Sequence, residues 1–220
     1  MTDAADEPDA DDDVLRALPS TLWTRMRADP ARAPEHLALA ASEVHGPAAR
    51  DWVAQRRSTY AIAPADLAKM AKRRHATLAR FGGAAGGVGG VVTLVPDIAA
   101  AAWIQSRCIY FIAAAYGFDP LDPMRPAEQL VLQGTFSDVG AARSALDGVG
   151  KHALVSMAEA KLEGTGADQL ARRLGRMVGR RAVRMTAGRL IPGVAVVFNA
   201  VGNERDTRAL ADRAILFYGG

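Results

Sequence analysis

The most informative features of this 220-residue chain are its absences. It has one cysteine, Cys108, so no disulfide can form within the chain, which fits a reducing compartment and a cytoplasmic location. Cys108 sits in an apolar stretch with no neighbouring base and reads as a small buried hydrophobe rather than a nucleophile. Aromatic residues make up 6%, too few for a core built on rings. β-branched runs are short, and neither strand alternation nor a hairpin-turn signal occurs, which excludes an extensive sheet. No run of 18 apolar residues is free of Pro, Asp or Arg, which argues against a conventional transmembrane helix. The N-terminus has no apolar h-region of the kind a signal peptide needs. The four histidines, His36, His45, His75 and His152, fall into no HExxH or Cys/His spacing, so neither a metal nor another cofactor is expected. There is no G-x-S-x-G, and no catalytic residue is assigned.

The net charge of +3 conceals an asymmetry. Residues 3–13 (DAADEPDADDD) hold seven acids and no base, leaving 27 basic and 17 acidic residues elsewhere. An acidic start without apolar periodicity predicts a disordered tail over 1–13. A helical extension is expected over 14–58 and a compact all-α domain over 59–220.

The extension reads as amphipathic pieces broken at Pro19, Pro30, Pro34 and Pro47, with Trp23 and Trp52 as anchors. In EHLALAASEV (35–44), Leu37, Ala40, Ala41 and Val44 share one face at helical spacing. Pro64 suits the first turn of a helix carrying Leu67, Met70, Ala71, Leu78 and Phe81 on one side, and Lys69, Lys72, Arg73, Arg74 and Arg80 make it basic. A second helix is predicted from about Ile98 to Tyr116, ended by Gly117, Phe118 and Pro120. Further helices are expected at 128–136, in weaker pieces over 138–163, at 169–190 and at 205–218, with an apolar Gly/Pro-marked segment at 190–203.

Between the first two of these helices lies GGAAGGVGGVVTLVPD (82–97), in which six of sixteen residues are Gly. It lacks the Lys and hydroxyl of a Walker loop, and its glycines miss the dinucleotide spacing. Gly82, Gly86 and Gly90 instead recur at i, i+4 and i+8, a strip of bare backbone on one helix face. Six glycines cost a helix roughly 6 kcal/mol relative to alanine. Close contact with a neighbouring helix is the natural offset, and a shallow membrane-inserting segment is the alternative. The stretch therefore predicts a Gly-rich helical hairpin over 82–117, turning near 93–97 and packed against 190–202.

The motifs together resemble those of the EcsC protein family. Thr93, Leu94, Pro96 and Asp97 form a T-L-x-P-D element and are followed by Gln105 and Arg107. Tyr116, Gly117, Phe118, Asp119 and Pro120 form an aromatic-G-aromatic-D-P element. Pro192 and Asn199 lie in the later apolar segment, and Phe217 and Tyr218 close the pattern. The resemblance covers about residues 60–218 and implies the fold, without carrying a reaction. The family is named for a protein encoded beside an ABC-type transporter, which makes a membrane protein complex one expected partner.

Two sets of residues are candidates for a site. Asp97, Gln105, Arg107 and Asn199 lie in the most apolar segments, where a buried ion needs a partner. They read as a polar clasp between helices, Gln105 and Asn199 by hydrogen bonds; the alternative is an enzyme pocket around Asp97, Arg107 and Asn199. The second set lies in ARRLGRMVGRRAVRMTAGR (171–189), which has seven arginines and no acid. At 100° per residue, Arg172, Arg173, Arg176, Arg180 and Arg184 fall within about 120° of arc, opposite an apolar face. With Lys72 and Arg73 beside the glycine hairpin, they predict contact with anionic lipid or a membrane complex at the inner face of the membrane. No aromatic interleaving or recognition motif supports nucleic acid. The reading is a non-enzymatic peripheral membrane or adaptor protein, of unassigned oligomeric state.

Overall fold

The computed structural model describes residues 18–85, 94–159, 166–178 and 194–220. The acidic tail, Gly86, Gly90, Arg180 and Arg184 lie outside the described residues, as do the side chains of Asp97 and Asn199. Every regular element among the described residues is helical. Helix α1 spans Ser20–Ala28 and is followed by a 3₁₀ turn, Pro30–Arg32. Then come α2 (Ala33–Thr59), α3 (Pro64–Ala85), α4 (Leu94–Ala115), α5 (Arg125–Leu132), α6 (Val139–Glu159), α7 (Gly166–Val178) and α8 (Val194–Gly219).

Helix α4 is the axis of the fold and packs against α2, α3, α7 and α8. Its window Ile98–Ala115 has a mean hydropathy of 1.4, apolar and long enough to cross a membrane, yet 94% of it is buried inside the protein. Alanines at 99, 101, 102, 113, 114 and 115 are buried and keep the flanking helices close. The helix ends in a Schellman turn. Gly117 adopts φ 89°, Phe118 N–H donates to Ala113 O at 3.1 Å, and Gly117 N–H donates to Ala114 O at 3.0 Å. Helix α5 ends the same way at Gly134, φ 73°, with Thr135 N–H on Leu130 O at 2.9 Å. The start of α6 is capped by Asp138, whose Oδ1 accepts from Ala141 N–H at 2.8 Å.

Several boundaries differ from the sequence reading. Pro47 does not break α2, which runs through it. An internal proline costs about 3 kcal/mol, but the helix buries Leu37, Trp52 and Val53 against the core. Each fully buried large apolar side chain contributes about 1.5–3 kcal/mol, so the buried face outweighs the lost bond. The buried stripe drifts to Ala38, Ala41, His45, Ala49 and Trp52, leaving Val44 exposed at its rim. Helix α4 starts at Leu94, a turn before the expected Ile98, because Pro96 falls in the first turn, where its missing N–H is not needed. The last two segments are one helix, α8. Helix α7 begins at Gly166, three residues before the expected 169.

Leu22 and Met26 of α1 and Leu37 of α2 share one core with Ile109 of α4, Leu130 of α5, Leu174 of α7 and Leu210 of α8. Residues 20–59 thus supply part of the wall around α4 and the surface on which α7 rests.

Candidate functional site

The polar residues of the interior form three groups. The first centres on Arg107. Its guanidinium lies 4.7 Å from the centroid of the Phe111 ring, one helical turn on, and the residue is only 4% exposed. His45 of α2 and His75 of α3 flank it, both fully buried. His45 packs tilted against Trp103, ring centroids 4.3 Å apart, and His75 meets Phe111 edge-on at 4.9 Å. Burial, with the Arg107 charge adding to it, pushes His45 down to about 3 and His75 well below its ordinary value. Both imidazoles are therefore neutral, and His75 has Nδ1 2.7 Å from Ala71 O. Burial pushes the nearby Cys108 thiol up to about 12, so it stays protonated and inert.

The second group is the clasp that joins α4 to α5. It is built on Ser106, and the expected partnership of Gln105 with Asn199 lies outside the described side chains. Gln129 Nε2 donates to Ser106 Oγ at 2.7 Å and to Gln133 Oε1 at 3.1 Å. Ser106 Oγ donates to Ala102 O at 2.8 Å. Gln105 is buried but makes no hydrogen bond among the described residues. The face of α4 that meets α5 is the one bearing Ala102 and Ser106, four residues apart. The signal for this clasp was the i, i+4 pair of glutamines in EQLVLQ, which sequence reasoning passed over.

The third group closes the chain's C-terminal end. Arg125 is buried with its guanidinium 5.4 Å from the Phe118 ring and 5.5 Å from the Tyr218 ring. It pairs with Glu128, whose Oε2 also accepts from Tyr218 Oη at 2.7 Å. Burial, and then the Glu128 charge, keep the Tyr218 phenol neutral. Phe118 and Tyr218 pack at 5.1 Å, and Tyr116 lies against Gly219. Two motifs a hundred residues apart in sequence, YGFDP and FY, thus meet in space. Arg125 and Glu128 were not among the candidates, although R-x-x-E spacing places them together on a helix.

The basic candidates divide sharply. Lys72 pairs with Asp212 of α8, and Arg80, on the same helix, reaches Glu204 at 4.0 Å. Arg73 is exposed. Helix α7 buries Leu170, Leu174, Met177 and Val178 against α4, α2 and the 3₁₀ turn. On its other side Arg172 and Arg176 are exposed and Arg173 is half-buried. With Gln169, which the sequence reading did not single out, these three arginines line a depression of about 270 Å³. Neither Arg172 nor Arg176 has a partner among the described residues. Glu35 of α2 is buried within the field of Arg173, its carboxyl pushed up by burial and pulled back by a hydrogen bond from its own backbone N–H and by the charges of Arg173 and Arg32. No group of three or more His, Cys, Asp or Glu side chains among the described residues could hold a metal ion.

A family model described as the EcsC protein family matches residues 61–219. No curated protein and no solved structure matches the chain.

Proposed function

The chain belongs to the EcsC protein family, and we propose that it acts without chemistry of its own, as a cytoplasmic peripheral protein that meets anionic membrane lipid through the outer face of α7. The observation that carries this reading is the pair of exposed arginines, Arg172 and Arg176, which have no partner among the described residues and stand on a helix whose other face is fixed in the core. Polybasic faces of this kind gain roughly 1 kcal/mol per basic residue near an anionic surface. The sequence extends the same arc through Arg180 and Arg184. An acidic patch on a membrane transport complex would be met by the same charges. The enzymatic alternative gains no support from Arg107, which is buried and stacked on Phe111.

The finer architecture belongs to the same proposal. The glycines from 82 to 90 serve close packing at the α3–α4 hairpin, and residues 1–13 form a solvated acidic tail.

Co-sedimentation with phosphatidylcholine vesicles, with and without an anionic lipid, tests the reading. Binding should require the anionic lipid, weaken as salt rises, and disappear when Arg172, Arg176, Arg180 and Arg184 are changed to Glu. Binding that ignores both salt and these substitutions would sink it.

A further inference from the structure

We propose that the depression on α7 is a discrete site for a phosphomonoester group, bound by Arg172, Arg173 and Arg176 with Gln169 at its edge. The inference rests on the membrane reading above and sharpens it from general negative charge to one headgroup chemistry.

The four lining residues stand at i, i+3, i+4 and i+7 of one helix, so their side chains converge along a single face. The cavity, about 270 Å³, lies just below the roughly 300–1,000 Å³ typical of small-molecule sites, a size for a headgroup rather than a larger ligand. Its donors are chemically uniform. Each guanidinium offers a planar fork of N–H groups that matches two phosphate oxygens. A phosphomonoester presents three terminal oxygens and about −1.5 to −2 charges near neutral pH. A phosphodiester has two non-bridging oxygens and one charge, so it can satisfy fewer of the three forks.

Lys69, Lys72, Arg80, Arg143 and Arg208 each have a carboxylate partner. Arg172 and Arg176 have none among the described residues, and neither do the exposed Arg25, Arg27, Arg73 and Arg205; what sets Arg172 and Arg176 apart is that they line one depression together with Arg173. Arg173 is acted on from the protein side by Glu35, which leaves the two outer arginines uncommitted. Gln169 adds an uncharged donor and acceptor, suited to an ester oxygen or hydroxyl next to the phosphate.

The test uses the full chain with three probes. The first two are phosphatidylcholine vesicles containing either phosphatidic acid or phosphatidylserine, adjusted to the same zeta potential. The third is inorganic phosphate in solution, read by titration calorimetry. The expected result is roughly tenfold tighter binding to the phosphatidic acid vesicles. In Arg172→Gln/Arg176→Gln that preference should vanish. Arg50→Gln/Arg205→Gln removes the same charge elsewhere and should keep it, and circular dichroism verifies that both variants fold. Equal binding to the two matched vesicles overturns the site while leaving the membrane reading intact. Binding of inorganic phosphate that depends on Arg172 and Arg176, with no vesicle binding, upholds the site with a soluble phosphate ester as its source and removes the membrane reading. Absence of binding to all three probes removes both.

Discussion

Arg125 and Arg176 are the same side chain put to opposite uses. Arg125 is enclosed by two rings, Phe118 and Tyr218, and held by Glu128. Arg176 stands on an outer helix face, lines an open depression, and has no partner among the described residues. The first could leave water because its charge is matched by Glu128 and Asp122. The second keeps its hydration and its full field. A guanidinium that holds the fold is thus recognised by what surrounds it, and one that is free to meet a partner by what does not.

The largest effect is expected where the enclosed arginine is removed. Arg125→Met leaves the Glu128 carboxylate and the Tyr218 hydroxyl without their cation, and breaking a buried pair from one side costs about 3–5 kcal/mol. At roughly 2–4 °C per kcal/mol for a chain of this size, the thermal midpoint should drop by about 6–20 °C, while vesicle binding by the folded fraction stays as it was. A drop of only a degree or two would mean that the contact is a surface ornament.

Next comes the cost of adding charge to an interior that already holds one. His45 and His75 flank Arg107, and both titrate below their ordinary value, His45 at about 3. The unfolded chain binds protons at these histidines near pH 6.5, whereas the folded protein does not. The His45 contribution is complete above about pH 6.5 and is lost as pH falls toward 3, by about 1.4 kcal/mol per pH unit, and His75, held neutral by the same burial, acts in the same direction. Urea unfolding at pH 7.5, 6.5 and 5.5 should show the decline, and His45→Gln should flatten it. An unchanged slope in that variant would remove His45 from the account.

These two groups also mark how far the sequence could be read. The all-helical class was legible because the apolar positions of α3 and α7 recur at helical spacing and because Gly117 and Pro120 mark the end of α4. The family was legible from motif residues at fixed spacing. The enclosed Arg125 was not, since its partner Tyr218 is more than ninety residues away and only packing brings them together. Ser106 was not read as a site residue, and only packing shows that it lies on the face of α4 that meets Gln129. Pro47 was read as a break because local chemistry says so, and tertiary burial overrode it. Charge counts misled in the same way. Lys72 and Arg176 look alike as basic residues on helices, and only the fold sets Asp212 beside one of them.

That pairing predicts a smaller effect. Lys72 is 23% exposed and Asp212 56% exposed at their side chains, so water screens the bond, and pairs of this kind contribute about 0–1 kcal/mol. Lys72→Gln should lower stability by less than 1 kcal/mol in urea titrations and leave vesicle binding unaltered. A several-fold loss of vesicle binding would move Lys72 from the α3–α8 seam to the membrane-facing set.

The smallest change in stability is expected at the open arginines, and its smallness is the point. Arg172→Ala/Arg176→Ala removes two exposed cations that no described carboxylate needs. Surface substitutions away from specific contacts change stability by no more than about 0.5 kcal/mol. Helix propensity, slightly better for alanine, acts in the same forgiving direction. Relief of repulsion among three adjacent guanidiniums also favours the variant, so the urea midpoint should stay in place or rise slightly. A loss above about 1 kcal/mol would show that these arginines hold α7 to the body through their aliphatic stems. They would then stand with Arg125, and the contrast between the enclosed and the open arginine would dissolve.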